Sequence, residues 1–267
     1  MLQEPQIAGQ SFAWTSQVGN AWASTGSRLT MAFHPIVDVE AGSVWGYEAL
    51  ARGTRGETAL SLLDRVTDEN QFRFDIGCRS KAIEWGRRLL PQHGETRLAI
   101  NIIPDEVTAS KAAIKASLDA AQKVGFDHRR IVFEFNETRR AADVASLARM
   151  IEDYRRIGFK TAIDDFGSGH AGLTLLARVQ PDLIKLDMDL VTGIAGSATK
   201  QMIVAGIVAI AKRLGIAVAA KGVETVFDMR VLKAAGILLQ QGFYFAHPAL
   251  EALPICRVSE DVAPSGE

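Results

Sequence analysis

The chain has 267 residues, 48% of them hydrophobic, with 30 basic and 31 acidic residues for a net charge of −1. That length suits one barrel-sized domain or two small ones, and the even spread of lysines and arginines excludes a duplex nucleic-acid binder while leaving room for a nucleotide-sized ligand. Cys78 and Cys256 belong to no CxxC or Cys/His cluster, the N-terminus lacks a basic start with an apolar core, and the longest apolar run, Met202 to Ala211, is too short for a bilayer; a cytoplasmic protein without structural zinc is expected.

Residues 1–30, rich in Gln, Ser, Gly and Ala, read as an N-terminal extension, residues 31–253 as one continuous core and residues 254–267 as a C-terminal tail. The core opens with two apolar runs, "AFHPIVDV" and "VWGYEALAR", separated only by "EAGS", a hairpin-length link that makes one strand antiparallel to the rest. "LAINI" (98–102) follows. A unit then recurs in which an amphipathic stretch ends at glycine and a short apolar run begins: "KASLDAAQKVG" before "RIVFEF", "ARMIEDYRRIG" before "FKTAID", "VAIAKRLG" before "IAVAAK" and "VLKAAG" before "ILLQQG". Gly125, Gly158, Gly215 and Gly236 are the expected helix stops. With "LIKLD" (183–187) there are eight strands, alternating with helices, and the expected fold is an α/β (β/α)8 TIM-like barrel with one antiparallel strand.

Polar residues collect at the downstream ends of these runs: Glu48, Asn101, Glu134, Asp164 with Asp165, Lys185 and Lys221. Singly, each has a structural reading. An Asp pair before "FGSG" suits a strand stop and helix cap, Glu134 the solvent face of a strand, Asn101 a turn, and Lys185 the surface. Jointly they converge, because strand C-termini share one face of a barrel. Carboxylates gathered in an apolar-walled mouth need cations, and hard divalent ions, Mg2+ or Mn2+, prefer carboxylate and amide oxygens. An adjacent Asp pair suits a two-metal site for phosphoester cleavage, with Lys185 on the attacking water or a phosphate oxygen and Arg52 gripping a phosphate.

These residues resemble the EAL domain family, the bacterial phosphodiesterases that convert cyclic di-GMP to pGpG. "FHPIVD", "YEALAR", "INIIP", "FEFNE", "IDDFGSG", "IKLD", "KGVET" and "QGFYFAHP" follow in the family's order across residues 31–253. The resemblance implies that Glu48, Asn101, Glu134 and Asp164 bind a first ion, and Asp164 with Asp165 a second. It also implies a catalytic role for Lys185 with Asp187 as its partner, a late glutamine near the site at Gln241, a loop-steadying Glu137, and ligand contacts from Arg52 and His34. It further implies a homodimer formed near the "DDFGSG" loop, and the apolar helix "TKQMIVAGIVAIAKRL" suits burial on more than one side.

Two positions depart from the family's pattern. His34 replaces the glutamine of "QPI", at the guanine end of the ligand, and Lys221 replaces the first glutamate of "EGVE", a ligand of the second ion. Unit charges 4 Å apart at an effective dielectric near 20 interact by about 4 kcal/mol, and a dication doubles this, so the substitution turns attraction into repulsion. Hydrolysis is expected to be weak or lost. Lys221 turned inward would take the second ion's place beside Asp165 and meet a phosphate, making the domain a cyclic di-GMP receptor; turned outward, it would leave a one-metal site. The alternatives are an active metal-dependent phosphodiesterase and a protein-interaction domain that no longer binds nucleotide. A sensor with its own core does not fit in the first thirty residues, so any regulation is expected from a partner, from dimerisation or from the missing part of a longer protein.

Overall fold

The computed structural model describes residues 29–102, 111–136, 144–168 and 172–258. All eight expected strands form: β1 (Leu29–Asp38), β2 (Ser43–Gly53), β3 (Arg97–Ile102), β4 (Ile131–Asn136), β5 (Lys160–Phe166), β6 (Leu183–Leu186), β7 (Ala217–Ala220) and β8 (Leu239–Gln240). They pair in the order β2-β3-β4-β5-β6-β7-β8-β1, and β1 also pairs with β2, which closes the barrel. β1 is antiparallel to both of its barrel neighbours, β2 and β8, and the other pairs are parallel. A ninth strand, β9 (Ala249–Leu250), lies outside the ring on β1. Its two residues directly follow Pro248 and carry no alternating pattern, so the sequence offers no strand signal there.

The helices among the described residues are α1 (Ala59–Leu63), α2 (Gln71–Leu89), α3 (Lys111–Val124), α4 (Val144–Ile157), α5 (Gly172–Leu176), α6 (Met188–Val191), α7 (Ala198–Leu214) and α8 (Val226–Ala234). None is long and apolar enough to cross a membrane. The four glycine stops share one device. Gly125, Gly158, Gly215 and Gly236 have φ of 67°, 98°, 70° and 91°. Each N–H bonds back three residues, and the next residue's N–H bonds back five: Phe126 to Ala121, Phe159 to Tyr154, Ile216 to Ala211 and Ile237 to Leu232. This is the Schellman arrangement, and its apolar residue directly precedes the next strand at Phe159 and Ile216, while a 3-10 turn separates Phe126 from β4 and Leu238 separates Ile237 from β8.

Two apolar layers result. The larger packs the outer face of the barrel against the helices, with Phe133, Tyr154 and Phe159 in mutual edge or tilted contact. The smaller, made of Ile36, Ala99, Val132, Ala162, Leu183 and Ala219, plugs the lumen. Because side chains alternate with period two, the next lumen-facing residue towards the mouth is polar on every one of these strands. Ile36 leads to His34, Ala99 to Asn101, Val132 to Glu134, Ala162 to Asp164, Leu183 to Lys185 and Ala219 to Lys221. The plug is the floor of the site.

A Cβ added at Gly215 would meet open space, although the backbone there is left-handed, whereas a Cβ on Gly242 would lie 2.1 Å from the Val223 carbonyl oxygen. Gly215→Ala is therefore expected to lower stability by roughly 1 kcal/mol and Gly242→Ala by about 3 kcal/mol, measured by urea unfolding. Equal effects at the two positions would contradict this packing.

Candidate active site

Lys185 is the centre of the lumen's polar layer. Its side chain is fully buried, with Nζ 2.9 Å from Glu48 Oε2 and 2.9 Å from both carboxylate oxygens of Glu134, and 3.9 Å from Asp164 Oδ1. Asn101 donates to Glu48 Oε1 at 2.8 Å and Gln241 to Glu48 Oε2 at 3.0 Å. Separate strands and strand ends thus deliver side chains to one point, as their lumen-facing register requires.

Two consecutive residues of a regular strand point to opposite faces, yet both Asp164 and Asp165 reach this mouth. The β5–β6 register shifts between Ile163 and Phe166, a bulge, and within it Asp165 has φ 54°. A left-handed non-glycine residue is tolerated best for Asp or Asn, and it re-aims the side chain. Ser168 fastens the bulge by donating its N–H and hydroxyl to the Asp165 carbonyl, at 3.1 and 2.8 Å.

Lys221, just past the end of β7, turns inward. Its ammonium lies 2.8 Å from Asp164 Oδ1 and 3.0 Å from Asp164 Oδ2, and it also bonds Asp165 Oδ1. Asn136 donates to the other oxygen of Asp165. Sequence reasoning passed over Asn136, although its place two residues after Glu134 puts it on the same lumen-facing side.

Burial would raise the Glu48 carboxyl, but the Lys185 and Lys221 ammoniums outweigh it and hold it far below the usual carboxylate range. For Glu134, burial outweighs the pull of Lys185 and, with the Glu48 and Asp164 charges, pushes the carboxyl up to about 8. Against their own burial, the surrounding carboxylates hold Lys185 and Lys221 above the ordinary lysine value, so both carry charge.

The remaining expected residues lie further out. His34 faces Glu48 across the β1–β2 pair, and its Nε2 lies 3.1 Å from the Ala246 carbonyl oxygen. Arg52, half-buried at the end of β2, donates to the Ala51 carbonyl at 2.8 Å. Asp187 caps α6 by accepting from the Asp189 N–H at 2.8 Å, while the ion-pair partners of Lys185 are Glu48, Glu134 and Asp164. Glu137 lies outside the described residues. A cavity of about 300 Å³ joins the polar end, at Glu48, Asn101, Asn136 and Asp165, to an apolar arm bounded by Leu63 and Phe74.

One carboxylate oxygen from each of Glu48, Glu134 and Asp164 lies within 4.8 Å of the others. Glu134 Oε1 and Asp164 Oδ1 are buried and sit at ion-pair distance from lysines without an aligned hydrogen bond. Such a donor set fits a hard divalent cation.

The EAL domain family model matches residues 21–248. The chain belongs to the EAL domain family. This EAL domain is 30% identical over 223 residues to the blue light- and temperature-regulated antirepressor BluF of Escherichia coli, a match covering 84% of the chain and 55% of BluF. It is 26% identical over 239 residues to the cyclic di-GMP phosphodiesterase NbdA of Pseudomonas aeruginosa, covering 87% of the chain and 30% of NbdA. The EAL domain thus spans about half or less of the length of these curated relatives. Among solved structures, the cyclic di-GMP-bound form of a standalone EAL protein from Vibrio cholerae O395 superposes with TM-score 0.82 at 41% identity, over 86% of this chain and 96% of that one. The calcium and cyclic di-GMP complex of Klebsiella pneumoniae BlrP1 gives TM-score 0.80 at 35% identity, over 85% of this chain and 57% of BlrP1.

Removing the Lys221 ammonium leaves two adjacent carboxylates with less compensation. In chelator-treated protein, Lys221→Met is expected to lose about 2 kcal/mol of stability, and added manganese should then stabilise the variant more than it does the wild type, as read by thermal melting. A variant as stable as the wild type under chelator would mean that Lys221 does not balance the pair.

Proposed function

We propose that the protein is an EAL-type cyclic di-GMP-binding domain in which hydrolysis to pGpG is weak or lost. The observation that carries this reading is the Lys221 ammonium bonded to both Asp164 and Asp165. In this reading Glu48, Asn101, Glu134 and Asp164 hold one Mg2+ or Mn2+, whose contribution when bound is Lewis-acid activation of water and of the phosphoryl oxygen. Lys185 positions a water or a phosphate oxygen, with Asp187 as its neighbour, and Gln241 orients Glu48. Arg52 meets a phosphate, His34 meets a base, and Glu137 steadies the loop after Asp165. Lys221 stands where a second ion would lie and offers its positive charge to the phosphate diester instead. The cyclic di-GMP named in the Vibrio and Klebsiella structures supports the choice of ligand, and the calcium of the Klebsiella complex supports a divalent site.

An antirepressor among the relatives at 30% identity favours a second reading, a domain that works by contacting a regulatory protein and does not use nucleotide. An active phosphodiesterase is the third. Titration calorimetry of cyclic di-GMP with calcium and then magnesium, followed by chromatography for pGpG, separates the three. Binding with intact ligand is expected, and Lys221→Glu should raise magnesium-dependent turnover by roughly 100-fold or more. Turnover by the wild type on the order of 1 per second would overturn the impaired-enzyme reading, and absence of binding would favour the protein-contact reading.

A cytoplasmic homodimer completes the proposal. α7 buries only Val204 and Ala211 among its residues, while Met202, Ile203, Ile210 and Leu214 are exposed on it. An apolar helix face of this kind suits a second copy of the chain. Light scattering is expected to give twice the chain mass, and Ile203→Glu to give a monomer; an unchanged mass for the variant would place the contact elsewhere.

A further inference from the structure

Asp165 is held at both carboxylate oxygens by side chains from different strands. Asn136, at the end of β4, donates to Oδ2, and Lys221, just past the end of β7, donates to Oδ1. A carboxylate accepts, so the Asn136 amide presents its nitrogen there and not its oxygen. Of the two donors, one is a cation and the other is neutral.

Strand pairing alone does not provide the Asn136 contact. The β4–β5 register sets Asn136 beside Asp164, yet its amide reaches Asp165, because the bulge and the φ of 54° bring that side chain round to the mouth. Ser168 fixes the Asp165 backbone through its carbonyl. Rotation about the Asp165 side-chain bonds is then settled by the two donors, and the neutral one settles it without supplying charge.

With Oδ2 taken by Asn136, Oδ1 faces the place where the Lys221 ammonium lies, 2.8 Å from Asp164 Oδ1 and 3.0 Å from Asp164 Oδ2. Oxygens of both aspartates therefore surround one cation. Asn136, Asp164 and Asp165 all line the cavity at the mouth, and the Lys221 and Asp165 side chains are 20% and 26% exposed, so a cation has a path to this place. Carboxylates that hold a cation are themselves steadied by hydrogen bonds, and loss of such a partner lowers metal affinity about 10- to 100-fold.

We infer that Asn136 is a positioning residue for the cation place between Asp164 and Asp165: its amide turns Asp165 so that the ammonium is held in this chain, and so that a divalent ion is held once the ammonium is removed. This assignment rests on the reading above in which Lys221 stands where a second ion would lie.

The test counts bound manganese ions in the absence of nucleotide, from the paramagnetic resonance of free Mn2+ during titration. Wild type is compared with Lys221→Glu alone and with Lys221→Glu joined to Asn136→Leu, which keeps the size of asparagine without its donor, or to Asn136→Ala, which leaves the space open. Wild type is expected to bind one ion and Lys221→Glu two. Either change at Asn136 should weaken the second ion roughly 10-fold or more and leave the first within about twofold, a split that a general loss of folding does not give. A second ion weakened less than about twofold by either change, equal weakening of both ions, or a single ion on Lys221→Glu overturns the role of Asn136. Two ions on the wild type overturn the reading of Lys221 itself.

Discussion

A lumen floored by apolar side chains leaves little water to solvate the carboxyl groups of Glu48, Glu134 and Asp164, so Lys185 has to compensate their charge from within. Its ammonium touches Glu48 and Glu134 and lies close to Asp164, and no stretch of sequence shorter than half the barrel holds all four. Burying one such charge alone costs several kcal/mol. The alternation that points these side chains inward also points large apolar residues outward into the helices, so the polar layer and the outer core are fixed by the same register. Shifting any one strand by a residue would exchange the two and strand a charge against the helices.

Lys221 extends the same charge balance by one step. With Asp165 forced into the mouth by a bulge, the local acidic charge exceeds what Lys185 covers, and a second ammonium offsets part of the excess. Asn136 completes the arrangement from the neighbouring strand. The positive charge is therefore covalently part of the chain, fixed in place and present whatever the ion content of the solution. An ion at the same place depends on its free concentration and is lost to chelators.

How much of this could be read beforehand differs by feature. The strands and their polar ends were legible because their signals are local: period-two alternation, glycine after an amphipathic stretch, and a charged residue ending an apolar run. The inward turn of Lys221 was one of two directions open to it, decided by where Asp164 and Asp165 point. That direction depends on a bulge and a left-handed Asp165, which arise from pairing with β6 and leave no mark on the sequence. Asn136 was missed because a neutral amide after "FEF" carries no charge to attract attention. Arg79 and Asp75 look like an ordinary i,i+4 surface pair, yet both are buried, with Arg79 reaching Tyr154 on α4. Only tertiary packing tells a solvated helix pair from one that pins two helices to the barrel.

The antiparallel first strand has a topological consequence of its own. In a barrel whose strands all run one way, the chain enters at the floor, the end away from the chemistry. Here β1 runs downward, so its first residue, Leu29, lies beside Gly53 at the mouth end of β2, and Thr30 lies beside Arg52. The covalent junction with everything upstream is thus at the mouth end of the barrel. A pull, twist or displacement applied through that junction acts on the strand that carries His34 before it reaches any helix, which gives upstream sequence mechanical access to the pocket without crossing the barrel.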